Sequence, residues 1–495
     1  MIKKILALTM VLSALTIHAE DVLQVKPFHT TAGVTTNDIL SFSFEMNNSS
    51  ADIWAFQFDL LLPEGMTLDN TDGLDPFELN EDRCPFTTDR KGQKTWSHTV
   101  QYNLLSNGWY RISVFNMKDE LRFNGNSGEI LRAYFLTDEN MAPGVYPIYV
   151  KGTVLTITGS TDIKPVESSS YVVIGNSPLK TEAIPDLSSL TGYTPSWVMN
   201  DIKNEINSNS AFVGLNLSGA TSFGSTIEAD NKNALFYVNP EADVTDVFTN
   251  GNVVHTGDNS YSCPSLTLTD GEYNFHAAYN MQGGLVKYDL LLESNVYTTL
   301  CLPFALSGEQ VAKLKNKNVT IEKFMGYDAS NAELKFTEVY STEANTPYLI
   351  KCNENLVPFV EIEISEIVAS SEMKEVVANN VVMTGVFNSK EISSEEVSKI
   401  FVYDGVSDTF ILAENGDKVS PFRAYIKVPA ENAPSLLSIF HENEETTSVE
   451  SVNVNELKSQ GVYDVFGRKV LDNTDSITEL DGGIYIVAGK KVLVK

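Results

Sequence analysis

Five histidines outside the first nineteen residues could do acid–base or metal chemistry: His29, His98, His255, His276 and His441. No two of them fall at metal-ligand spacing, and the chain has no G-x-S-x-G, no Walker loop and no H-E-x-x-H. His98 runs in phase with Trp96, Val100 and Tyr102, which predicts a satisfied core or strand-end position rather than ligation. Carboxylates are abundant, but glycoside hydrolysis needs two of them well placed, and abundance says nothing of placement. The acidic run Asp69, Asp72, Asp75, Glu78 lacks the alternating order of a calcium loop, so Ca²⁺ there stays an open alternative. The four cysteines, Cys84, Cys263, Cys301 and Cys352, have no C-x-x-C spacing, which excludes zinc-ribbon and thioredoxin-type chemistry. An oxidising compartment would allow three disulfide pairings. The apolar settings of Cys263, Cys301 and Cys352 favour buried free thiols for at least two of them. No catalytic residue, metal or cofactor is therefore expected.

Binding chemistry is better represented. Sugar sites pair a flat aromatic ring with nearby polar side chains. Trp54 falls in phase with Phe56, Phe58, Leu60 and Leu62, and Trp96 with Val100 and Leu104, so both are expected in the core. Trp109 shares its strand face with Arg111 and Ser113, while Tyr110, Ile112 and Val114 take the other. Trp109 is thus the candidate platform, with Arg111 and Tyr102 as companions. A tryptophan at the rim of a core is the competing reading.

The elements that must hold these residues are mostly strands. Lys3-Lys4, the apolar run from Ile5 to Ile17 and Ala19 form a secretory leader over residues 1–19, which signal peptidase would remove. That apolar run is too short to span a bilayer, and no later run is long enough, so no transmembrane segment is expected after cleavage. Losing Lys3 and Lys4 and no acid takes the net charge from −30 to −32, a field that disfavours nucleic acid and anionic lipid. Residues 20–176 read as a β-sandwich of alternating strands, with Asn107-Gly108 as one turn. Residues 177–210 are a connector with a short helix, begun by Thr194-Pro195 and carrying Val198, Ile202 and Ile206 on one face. Residues 211–280 carry short apolar pieces of the kind found in leucine-rich or β-solenoid rungs, such as Leu215-Asn-Leu-Ser-Gly219. Residues 281–440 read as a second β-sandwich with helical pieces at 308–315 and 393–398. A flexible acidic linker spans 441–459 and a small β-unit spans 460–495.

Two stretches carry a family resemblance. The strand 52–60 (Asp-Ile-Trp-Ala-Phe-Gln-Phe-Asp-Leu), an acidic loop, Gly128–Phe135 and then Pro143–Ile148 together resemble cohesin-like domains. Those domains share a jelly-roll sandwich with some carbohydrate-binding modules. The end of the chain resembles the C-terminal sorting domain of the type IX secretion system, at Tyr463, Gly467, Arg468, Gly483, Tyr485, Lys490 and Lys491. The resemblances imply a Gram-negative bacterial protein, secreted or on the outer membrane and cell surface, passed through an outer-membrane secretion machinery. The expected function is non-catalytic binding or adhesion, with the first sandwich contacting a glycan or a surface protein. The alternatives are a structural scaffold for another surface protein and a polysaccharide-active enzyme.

Overall fold

The computed structural model describes residues 22–30, 40–48, 52–88, 91–116, 121–159, 161–249, 252–429, 434–442, 461–464, 468–471, 483–487 and 490–494. The leader, Gly467 and nearly all of the acidic linker lie outside the described residues. The fold is mostly β.

The first unit uses strands β1 (Val22–Val25), β2 (Phe28–Thr30), β3 (Leu40–Asn47), β4 (Ile53–Leu61), β5 (Met66–Leu68) and β6 (Phe77–Leu79). A small hairpin, β7 (Phe86–Thr88) with β8 (Lys94–Trp96), precedes β9 (Thr99–Leu104), β10 (Tyr110–Phe115), β11 (Glu129–Thr137), β12 (Gly144–Ile157) and β13 (Ser168–Ile174). One sheet runs β1-β3-β11-β5, with β6 also on β11; the facing sheet contains β13-β12-β4-β10-β9. Aromatic rings fill the space between them: Phe44 lies 4.8 Å from Phe58 across the two sheets, and Phe42 lies 5.3 Å from Phe135 on the neighbouring strand of the first sheet. Each such ring contributes about 1.5–3 kcal/mol by leaving water.

Trp54 departs from its expected core position. In β4, Thr156 pairs with Ala55 and Ile157 with Ile53, so Trp54 is the extra residue of a bulge. The phase shifts there: Ile53 is buried and Trp54 is only half-buried.

The connector is tied to this sheet. After α1 (Pro178–Thr181), β14 (Gly192–Thr194) pairs parallel with β13. The helix α2 (Ser196–Asn207) starts after Pro195, one residue later than expected, because Thr194 ends β14 and gives no side-chain cap. Val198, Ile202 and Ile206 are buried as expected, in a core shared with Tyr171 and Val173 of β13.

Next come β15 (Gly214–Leu217), β16 (Ala220–Phe223), β17 (Leu235–Val238) and β18 (Val253–Gly257). β15, β17 and β18 stack in parallel, while β16 joins β14 and so continues the sheet of the first unit. Asparagines hold the turns between rungs. Asn252 is fully buried; its amide donates to the carbonyls of Lys232 and Thr267, and its oxygen accepts the Thr267 N–H. Asn233 does the same for Thr269 and Tyr273.

Beyond residue 290 a ten-stranded sheet folds over a core that includes Phe324, Phe336, Phe401 and Phe410. The helix α3 (Gly308–Lys315) forms as expected, closed by a capping box between Ser307 and Gln310. The expected helix at 393–398 is absent; the segment makes turns. The Ser393 backbone and hydroxyl donate to Glu396, the reach-back bond of a helix-opening capping box, but the strand Ile400–Asp404 follows before a regular helix is established. Strands Val462–Asp464, Lys469–Leu471, Gly483–Val487 and Lys490–Val494 form a separate four-stranded antiparallel sheet at the end of the chain.

Candidate functional site

The outer face of β12-β4-β10-β9 is built by register. Lys151 pairs with Asp59, Asp59 with Arg111, and Arg111 with Asn103, so these four form one row across four strands. Arg111 grips Asp59 with two bonds, Nε to Oδ1 at 2.8 Å and a terminal nitrogen to Oδ2 at 2.9 Å. The hydrogen bond and charge of Asp59 raise the Arg111 pKa further. Lys151 places its Nζ 3.6 Å from the Trp109 ring centroid, a cation–π contact. A bulge in β12 follows directly on Lys151. Gly152 takes φ +58°, and three residues from Lys151 to Val154 span two on β4. In the adjacent row the Ser113 hydroxyl donates to Gln57 at 3.2 Å.

Trp109 and Arg111 therefore share a face, as expected. Tyr102 does not join them. It pairs with Ile112, whose side chain is in the core, so Tyr102 belongs to the opposite side of the sheet and packs on Phe77 at 5.3 Å. The sugar platform expected from Trp109, Arg111 and Tyr102 is thus not assembled as a trio. Lys151 also covers one face of the indole.

The other chemistry-bearing residues are held locally. His98 is buried, bonded to the Ser97 hydroxyl at 2.9 Å and the Leu121 carbonyl at 2.8 Å, and stacked on Phe123; burial lowers its pKa. Asp69 accepts from Thr71, Asp75 from the Phe77 N–H, and Glu78 from the Tyr134 hydroxyl, so these three of the run's four acids are engaged by separate turns and partners. All four cysteines are buried and unpaired. Burial pushes the Cys84 and Cys263 thiols up to about 12.

In the terminal sheet, Tyr463 is partly exposed beside buried Val462. Tyr485 pairs with Asp464 and Val492, Lys491 with Ile486, and Lys490 with Val487; Gly483 opens its strand, and Arg468 precedes the strand 469–471.

Sequence reasoning missed two features. One is the row of rung asparagines, whose signal is an Asn just ahead of an apolar piece, as in Asn233-Ala-Leu and Asn252-Val-Val. The other is a cluster of tyrosines, Tyr237, Tyr261 and Tyr279, which meet only through tertiary folding.

No family model matches the chain, and no curated protein matches its sequence. Solved structures similar to it are cohesin modules. The sixth cohesin of scaffoldin B from Acetivibrio cellulolyticus, solved with a Cel5 dockerin, is 10% identical over 31% of this chain and 96% of its own, with a TM-score of 0.24. A cohesin module from a Clostridium perfringens family 33 glycoside hydrolase is 11% identical over 31% and 95%, with a TM-score of 0.21. A non-cellulosomal cohesin from the archaeon Archaeoglobus fulgidus is 7% identical over 31% and 91%, with a TM-score of 0.20.

Proposed function

We propose that the chain is a non-catalytic, exported binding protein whose first sandwich holds a partner protein on the outer face of β12-β4-β10-β9. The observation that supports this reading is the row Lys151–Asp59–Arg111 with Trp109 against Lys151. Trp and Arg dominate protein–protein hot spots, and these two are fixed before a partner arrives. The face is an open sheet surface of mixed charge, suited to a complementary protein surface rather than to enclosing a substrate. The remaining modules present this face. The leader 1–19 directs export through signal peptidase, and the C-terminal sheet around Tyr463, Arg468 and Gly483 directs sorting to the Gram-negative cell surface by an outer-membrane machinery.

The test is cross-linking of purified residues 20–495 to the cell envelope, identification of the captured protein, and titration of that protein in purified form. Trp109→Ala should weaken binding by roughly 30-fold, as for a hot-spot truncation. Affinity unchanged in both Trp109→Ala and Arg111→Ala would overturn the assignment of this face. Polysaccharide turnover by the purified chain would overturn the non-catalytic reading.

A further inference from the structure

A groove of about 310 Å³ lies on the rung sheet, lined by none of the residues in the Lys151–Asp59–Arg111 row. Two sides of it are chemically distinct. On one side Tyr261 and Tyr279 stack face to face, centroids 4.1 Å apart and planes within 1°. Tyr237 meets Tyr279 edge-on at 5.8 Å, and is itself buried, its hydroxyl accepting the Ala278 N–H. Tyr279 is nonetheless 45% exposed. An exposed ring held in one orientation by two others is costly to leave idle and ready to bind, because it loses little freedom when a ligand packs on it.

On the other side stand Asp186, Asn216 and Ser218. Asp186 and Asn216 are aligned by a parallel bridge, and Asn216 pairs with Tyr237, so one register row leads from the carboxylate to the aromatic cluster. Asp186 Oδ1 accepts from the Asn216 amide at 3.0 Å and from the Ser188 N–H at 2.9 Å. These bonds orient the carboxylate and leave Oδ2, with the Ser218 hydroxyl, to a ligand. A held ring beside an oriented carboxylate–amide pair suits a pyranose: the ring takes the C–H face and the polar pair takes neighbouring hydroxyls.

A peptide fits less well. β15 is flanked by Asp186 and β17, and β17 by β18, so the groove offers no open strand edge to an extended chain. The net charge of −30 and Asp186 itself disfavour an acidic sugar. We infer that this groove is a binding site for a neutral glycan, with Tyr279 as the stacking platform and Asp186 and Asn216 as the hydroxyl-reading pair.

Residues 20–495 applied to an array of neutral and acidic oligosaccharides test this, followed by titration with the best neutral glycan. Binding to neutral members is expected. Tyr279→Ala and Asp186→Asn should each weaken it by at least about tenfold, while Tyr279→Phe keeps the stacking ring and should retain it. Circular dichroism of the variants checks folding. Binding to no glycan, to acidic glycans alone, or with equal strength in Tyr279→Ala would overturn the inference. So would loss in Trp109→Ala with Tyr279→Ala unaffected, which would place the sugar on the first sandwich. Protein-partner binding at Trp109 is read in a separate titration, so either site can fail without the other.

Discussion

His441 meets Glu322 at 2.6 Å, Nδ1 to Oε2, within the ten-stranded sheet, where Glu322 is only 2% exposed. The imidazole stacks on Tyr297, centroids 4.3 Å apart, and Tyr297 donates its hydroxyl to the same carboxylate at 2.7 Å. Asp408 stands 3.5 Å from the second ring nitrogen and accepts from Tyr403, and Lys351 sits over the Tyr297 ring. Burial alone would lower the His441 pKa; the bond to Glu322 and the charges of Glu322 and Asp408 outweigh it, and the pKa is raised above 6.5.

A raised folded-state pKa stabilises the fold while the imidazole is protonated. That contribution is complete below the unfolded value near 6.5 and is lost as pH rises through the higher folded value. Thermal melts from pH 6 to pH 9 should show a steeper decline in the wild type than in His441→Gln, where His29, raised by its bond to Asp201, still contributes. Parallel pH profiles for the two proteins would refute this role.

The rungs depend on asparagine amides rather than on apolar packing alone. Asn252→Ala would strand the Lys232 and Thr267 carbonyls and the Thr267 N–H in a buried turn. A loss of roughly 3 kcal/mol is expected from denaturant unfolding, since each unpaired buried group costs about 1–3 kcal/mol.

Gly385 lies directly against Cys301, whose Cβ would be 2.8 Å from any Cβ added there. Gly385→Ala should destabilise by about 1–3 kcal/mol through overpacking. Cys301→Ala removes the sulfur in the way, so the double variant should recover part of that loss in a mutant cycle.

The four thiols should be silent in the native protein. Burial raises Cys84, Cys263 and Cys301 away from the reactive thiolate. A disulfide-exchange dye should titrate none of the four before denaturation and all four after it, and reductant should leave the melting temperature unchanged. Four cysteines are present.

Alternation made β10 legible before its structure: Ile112 and Val114 are buried and Arg111 is exposed, as read from the sequence. Register was not legible. A two-residue Asn107-Gly108 turn would pair Ser106 with Trp109 and bring Tyr102 opposite Ser113, on the face of Arg111. Instead Leu104 pairs with Tyr110 around a longer loop, with Gly108 at φ +84°. That single-residue shift sends Tyr102 to the other side. Trp54 was misplaced for a related reason, since a bulge resets the alternation without marking the sequence. The tyrosine groove was hidden because its members come from different rungs and loops, and no local period connects them. Mostly-β architecture survived all of this, because side-chain alternation over many strands tolerates a few slips.

The pairing of β14 with β13, and the burial of Tyr171 and Val173 beside α2, make the stretch 177–210 something other than a hinge. A protease that nicked it would leave two fragments still clasped together, travelling as one species until denaturant parted them. A pull applied to the first sandwich would be passed to the rungs through this packed connector.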